Sequence, residues 1–178
     1  MIQENILYFA YGSNLSLKRL EYRVGDVDVY GNHRLYGYKL TFDACSSLGD
    51  SYANIVKSDN KSDFVEGVLY ELRPYQFRQL DKYEGLYERN FFTLPNGRIC
   101  CTYVSSVSKN DYSYPSVDYL DIIINGYKTW QLTQIDYLLK VRSLSEYKER
   151  EEKKKSKRKR KSVVHTTIKR RMPGYAWP

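Results

Sequence analysis

Residues 8–15, Tyr-Phe-Ala-Tyr-Gly-Ser-Asn-Leu, constrain the fold more than any other stretch of the chain. The apolar run over residues 6–11 reads as a buried strand. It stops at Gly12-Ser13-Asn14 and passes into residues 15–23, which read as a short helix or helical turn. Gly12 permits a tight turn and close approach of the backbone to a ligand. Ser13 and Asn14 can bend the chain and cap the helix that follows. Such a junction leaves successive backbone N–H groups free, a natural pocket for an anion or a developing oxyanion. Local pattern alone favours the plainer reading, a strand–turn–helix with good turn residues.

The remaining pattern is β-rich first and helical later. Residues 27–30, 35–42, 52–56 and 64–71 read as strands. Alternation over 35–42 puts Tyr36, Tyr38, Leu40 and Phe42 on one apolar face. Residues 59–63, Asp-Asn-Lys-Ser-Asp, read as a hairpin loop. Pro74 opens a helix, where its fixed φ and missing donor suit the first turn. That helix is expected to end near Glu84-Gly85, with Gly85 in the left-handed stop conformation. Residues 90–94 and 98–104 form a hairpin through Pro95-Asn96-Gly97, and 116–126 and 132–144 read as helices. This order argues for an α+β fold, a small mixed β-barrel-like sheet with flanking helices.

Charge divides the chain in two. Residues 1–147 carry 16 Lys and Arg against 18 Asp and Glu, whereas residues 148–178 carry 13 against 3. The expected organisation is therefore one domain over 1–147 and a basic tail over 148–178. Residues 149–161 hold no apolar side chain, cannot bury a core, and read as solvated and flexible. Residues 163–168 are β-prone, and the chain closes on Tyr175-Ala176-Trp177-Pro178. The run from Lys153 to Lys161 supplies the polyelectrolyte attraction for weak polyanion binding, without the interleaved aromatics that base readout needs.

Three cysteines, two of them adjacent, with no leader at the start of the sequence fit a reducing, cytoplasmic compartment better than a disulfide scaffold. With only His33 and His165 beside them, no zinc spacing forms, so no metal is expected. No apolar run is long enough for a membrane span. Nineteen tyrosines are many for this length. Most are assigned to half-buried core positions, with a tyrosine-lined cleft as the functional alternative.

The second informative segment is Leu80-Asp81-Lys82-Tyr83-Glu84-Gly85, followed by Tyr87-Glu88-Arg89. With the opening loop it resembles the γ-glutamylcyclotransferase-like family (AIG2-like, γ-glutamylamine cyclotransferase-like). Residues 35–42, 53–56 and 65–70 resemble the connecting strands in the family's order. Tyr114-Pro115-Ser116, Tyr119 and Gly126 resemble its substrate-side region. The compact Gly85-Leu86-Tyr87 departs from the longer stretch that members often carry there, and the basic tail is additional.

The resemblance implies intramolecular aminolysis of a γ-glutamyl amine or isopeptide. The substrate's α-amine attacks its own γ-carbonyl, 5-oxoproline forms, and the attached amine leaves. It implies Glu84 as general acid and base, shielded by Tyr83, Leu86 and Tyr87 so that its pKa rises. It also implies a small-molecule substrate held by Tyr11, Gly12, Ser13, Asn14, Leu15, Tyr87 and Tyr119, with no cofactor. Asp81 reads as structural, and Glu88 as a partner of Arg89 or Lys82. Two other functions stay open at this point. The same pocket can serve a different small metabolite, or the chain can be a non-enzymatic binder that uses its tail on nucleic acid or another polyanion.

Overall fold

The computed structural model describes residues 5–47, 49–106 and 114–170, with side chains described through residue 159. In chain order it contains β1 (Ile6–Ala10), a 3-10 turn (Ser13–Leu15), α1 (Leu17–Val24), β2 (Asp28–Tyr36) and β3 (Tyr38–Cys45). Then come β4 (Ser51–Lys57), β5 (Phe64–Leu72), α2 (Pro74–Leu80), β6 (Glu88–Thr93), β7 (Ile99–Val104), α3 (Val117–Thr129) and α4 (Ile135–Arg170). The terminal Tyr175–Trp177 segment lies outside the described residues.

β1 is the middle of a five-stranded mixed sheet ordered β2-β5-β1-β7-β6. It runs antiparallel to β5 and parallel to β7. Leu7, Tyr8, Phe9 and Ala10 are all buried, so both faces of the strand are covered. That is why the sequence shows an unbroken apolar run here instead of alternation. Leu7 and Phe9 each contribute roughly 1.5–3 kcal/mol of burial. The strand is thereby a firm base for the loop that leaves its end.

The fold is α+β with a mixed sheet, as expected, but among the described residues the sheet does not close into a barrel. β2 and β6 are its edges, and β3 with β4 forms a separate two-stranded sheet. Gly37, at φ +76°, breaks the run over 35–42, so β3 leaves the sheet to which β2 belongs. For the same reason residues 59–63 do not close a hairpin. They carry the chain from β4 in one sheet to β5 in the other. The hairpin through Pro95-Asn96-Gly97 forms as read, with Gly97 at φ +82°.

α2 ends at Leu80, earlier than expected, and Gly85 has no positive φ. The chain instead tightens through successive short turns, in which the N–H groups of Lys82, Tyr83 and Glu84 donate to the carbonyls of Gln79, Leu80 and Asp81. Those turns, rather than a glycine stop, set Glu84 in place.

The boundary expected at 147/148 falls inside α4, which runs unbroken to Arg170 and includes the β-prone 163–168. Glu149 Oε1 accepts from Val117 N–H (3.1 Å) at the start of α3. The folded unit therefore reaches past residue 147. Within the expected tail, residues 148–170 are helical, and residues 152–159 are exposed as a solvated run would be.

α3 crosses the 3-10 turn closely. A Cβ on Gly126 would sit 2.5 Å from Leu15 Cβ. Gly126→Ala is therefore expected to destabilise the protein by about 1–3 kcal/mol through overpacking. An unhindered helix site would give the opposite sign, since alanine is the better helix former. Urea midpoints of the variant and wild type decide between the two.

Candidate active site

The loop after β1 and the turns after α2 meet over one cavity of about 300 Å³. Its wall includes Gly12, Ser13 and Asn14 from the loop, Arg19 and Arg23 from α1, and Glu84 with Leu86 and Tyr87. Seven tyrosines contribute: Tyr8, Tyr11, Tyr52, Tyr83, Tyr87, Tyr103 and Tyr119. The tyrosine-lined cleft is thus real, though most of the nineteen lie elsewhere.

Asn14 is buried and caps no helix; the 3-10 turn and α1 both lack a side-chain cap. Its amide is used across the site. Nδ2 donates to Tyr8 Oη (2.8 Å) and to Glu84 Oε1 (3.1 Å), while Oδ1 accepts from Arg23 Nη1 (2.9 Å). Arg23 Nη1 also donates to Glu84 Oε1 at 3.1 Å, an ion pair whose two side chains are each 12% exposed. Both donors meet the same carboxylate oxygen. Oε2 of Glu84 receives no hydrogen bond from a described residue, and it is left for a ligand.

Burial raises the Glu84 pKa above the ordinary glutamate value of 4.5, and Arg23, Asn14 and Arg19 only partly oppose this. The carboxyl is thereby brought toward the range where it can both accept and return a proton near neutral pH.

In the loop, Leu15 N–H donates to Gly12 O (3.0 Å) and Ser16 N–H to Ser13 O (3.2 Å). The N–H groups of Gly12, Ser13 and Asn14 donate to no described residue. Space at Gly12 is tight, because a Cβ there would lie 3.3 Å from Ala53 Cβ and 3.6 Å from Tyr119 Oη. Tyr119 Oη accepts from Ala53 N–H (3.1 Å), so its own proton can be given to a ligand. Burial pushes its pKa up to about 12, which keeps that proton in place. Tyr87 Oη donates to Ala53 O (2.7 Å) and offers its lone pairs instead.

Of the residues expected at the site, Tyr11, Gly12, Ser13, Asn14, Glu84, Tyr87 and Tyr119 come together on the cavity wall. Leu15 does not. Its side chain is buried beneath α3, its N–H is spent in the turn, and its carbonyl accepts from Trp130 Nε1 (2.7 Å). Asp81 is structural as read. It takes a two-pronged ion pair from Arg89 and accepts from Tyr103 Oη (2.7 Å), so Arg89 serves Asp81 and not Glu88. The sequence reading passed over Arg19 and Arg23. Their spacing, four apart on a short helix opening from the loop, was the available signal.

Fold and cavity together define an α+β scaffold of the γ-glutamyl cyclotransferase kind with Glu84 on the wall of its cavity. Residues 8–121 match the family described as gamma-glutamyl cyclotransferase, AIG2-like, and the chain belongs to that family. A gamma-glutamylcyclotransferase of Bos taurus is 34% identical over 88 residues, which cover 47% of this chain and 46% of the relative. The chain thus spans about half the length of that curated relative. A solved gamma-glutamyl cyclotransferase superposes with a TM-score of 0.63 at 28% identity, covering 78% of this chain and 86% of that one. The Bacillus subtilis protein YkqA shares the fold, with a TM-score of 0.62 at 24% identity over 80% of this chain and 54% of its own.

The raised Glu84 pKa carries a stability signature. Between pH 4.5 and the raised value the folded chain holds a proton that the unfolded chain has released. Wild-type stability therefore falls as pH climbs through that window, and Glu84→Gln escapes the loss. The stability of Glu84→Gln relative to wild type should rise by up to about 1.4 kcal/mol per pH unit there. Urea midpoints across the window test this. A pH-independent difference would put the carboxyl at its ordinary value.

Proposed function

We propose that this protein is a γ-glutamyl cyclotransferase that closes a γ-glutamyl amine or isopeptide to 5-oxoproline. The observation that carries the reading is the single-sided grip on Glu84. Asn14 and Arg23 hold Oε1, while Oε2 and the N–H groups of Gly12, Ser13 and Asn14, residues of the same cavity wall, have no partner among the described residues.

The chemistry follows from that arrangement. Oε2 of Glu84 takes a proton from the substrate's α-ammonium, and the freed amine attacks the γ-carbonyl carbon. A C–N bond forms and the carbonyl oxygen becomes an oxyanion. The N–H groups of Ser13 and Asn14 receive it with little reorganisation. Glu84 then gives its proton to the amide nitrogen, the oxyanion re-forms the carbonyl as the bond from that nitrogen to the γ-carbon breaks, and the amine departs. The freed Glu84 carboxylate takes the surplus proton from the ring nitrogen to leave the neutral lactam. A narrow aromatic cavity favours the folded substrate conformer that ring closure requires.

Release of 5-oxoproline from a panel of γ-glutamyl-amino acids, γ-glutamyl alkylamines and γ-glutamyl-ε-lysine tests the reading. Glu84→Gln should lower turnover by roughly 10²–10⁴-fold while the fold persists. In the wild type, kcat/KM should fall on the acid side with a limb lying above 4.5, because the free enzyme must have Glu84 deprotonated to accept the first proton. Unchanged turnover in Glu84→Gln contradicts the assignment.

A separate observation supports a role for the outer part of α4. Residues 153–161 hold eight Lys and Arg and no acid, and those through residue 159 are exposed. This half of the helix binds polyanions weakly through counterion release. A chain ending at residue 152 keeps Glu149 against α3. It should keep wild-type turnover yet leave a heparin column at distinctly lower salt. Unchanged retention would locate any polyanion surface elsewhere.

A further inference from the structure

Arg19 lines the same cavity as Glu84, and no partner among the described residues accounts for it. Its Nε is buried without a hydrogen bond, and its guanidinium makes no hydrogen bond or ion pair with a described residue. Arg23, four residues on along α1, is committed to Glu84 and Asn14 through Nη1. The two arginines therefore differ sharply, one committed to the protein and one not.

A buried donor left unsatisfied costs about 1–3 kcal/mol, more for a charged group, so such a group commonly awaits a ligand. Burial and the neighbouring Arg23 charge both disfavour the Arg19 cation in the empty cavity. The missing partner is thus an anion. Guanidinium matches carboxylate best, through two parallel N–H bonds. Glu84 is near enough to interact electrostatically with Arg19, yet the two form no ion pair. A ligand bearing an ammonium and a carboxylate on one carbon carries the two charges that Glu84 and Arg19 complement.

We propose that Arg19 is the anchor for the substrate's α-carboxylate, and that Arg19 and Glu84 together read the α-amino-acid end of the γ-glutamyl group. This inference rests on the function proposed above and assigns the loop's task. With the carboxylate on Arg19, the N–H groups of Ser13 and Asn14 are left for the γ-carbonyl oxygen. The α-amine, on the same carbon as the carboxylate, is then directed to Oε2 of Glu84. Recognition of the leaving amine is left to the aromatic rim, so specificity for the γ-glutamyl end and for the amine are separable.

The test compares the best substrate of the panel with its α-carboxamide analogue, in wild type, Arg19→Met and Arg19→Lys. Arg19→Met should lose roughly 10–100-fold in kcat/KM on the free carboxylate, the range for one charge-assisted contact, and little on the carboxamide. Comparing the ratio between proteins removes the intrinsic difference in amine basicity between the substrates. Arg19→Lys keeps the charge and should restore part of the discrimination. If Arg19→Met does not fold, Arg19→Gln takes its place. Equal losses on both substrates, or none on either, overturn the subsite and leave the cyclotransferase reading standing.

If the wild type releases 5-oxoproline from no member of the panel, the cyclotransferase reading fails. Calorimetry then decides the subsite alone, with 5-oxoproline and 2-pyrrolidinone as probes. Binding of 5-oxoproline but not 2-pyrrolidinone, lost in Arg19→Met, supports a carboxylate site at Arg19. No binding, or binding indifferent to the substitution, overturns it.

Discussion

The grip of Asn14 and Arg23 on one oxygen of Glu84 is the interaction on which the rest of the site depends. A carboxylate this far out of water needs partners, or it must neutralise. Two donors on Oε1 lessen that cost without removing it, and the other oxygen stays available. The same two donors tie three separate pieces of chain together: the loop after β1, the helix α1, and the turns after α2. A site built this way is fixed where these three pieces of chain are cross-linked.

The support behind that grip is largely apolar. β1 is covered on both faces, and Leu15 is locked beneath Gly126 and Trp130, so the loop between them has little freedom. Around the cavity the tyrosines have their hydroxyls directed by the protein. Tyr11 donates to Tyr103 O, Tyr87 to Ala53 O, and Tyr103 to Asp81. Preorganised donors and rings of this kind stabilise developing charge because they do not have to turn toward it. They also exclude water, which strengthens each interaction with Glu84.

Some parts of this architecture were legible in local chemistry: the unbroken apolar run marked β1, and Pro95-Asn96-Gly97 marked a hairpin. Glu84 was not; alone it reads as a solvated helix-end glutamate, and the family resemblance singled it out. Arg19 and Arg23 were not legible, because a pair of arginines on a short polar helix reads equally well as a solvated face. Only the tertiary placement of α1 against the turns after α2 turns that face inward. Asn14 was misread as a cap for a similar reason, since its preference for turns is local and its contact with Glu84 spans seventy residues. Absence of a core did not mean absence of helix over residues 148–170. Glu and Lys are good helix formers, and the pairs Glu146–Arg150 and Glu149–Lys153 support the helix from its surface.

In the proposed mechanism, substrate meets Glu84 through Oε2 while the loop holds the reacting carbonyl. A crystal structure of the protein saturated with 5-oxoproline is the decisive measurement. The lactam nitrogen is expected within hydrogen-bond distance of Glu84 Oε2 and the lactam oxygen on the N–H groups of Ser13 and Asn14, with Arg23 and Asn14 still on Oε1. A lactam bound away from Glu84, or seated with its carbonyl turned from the loop, would contradict it.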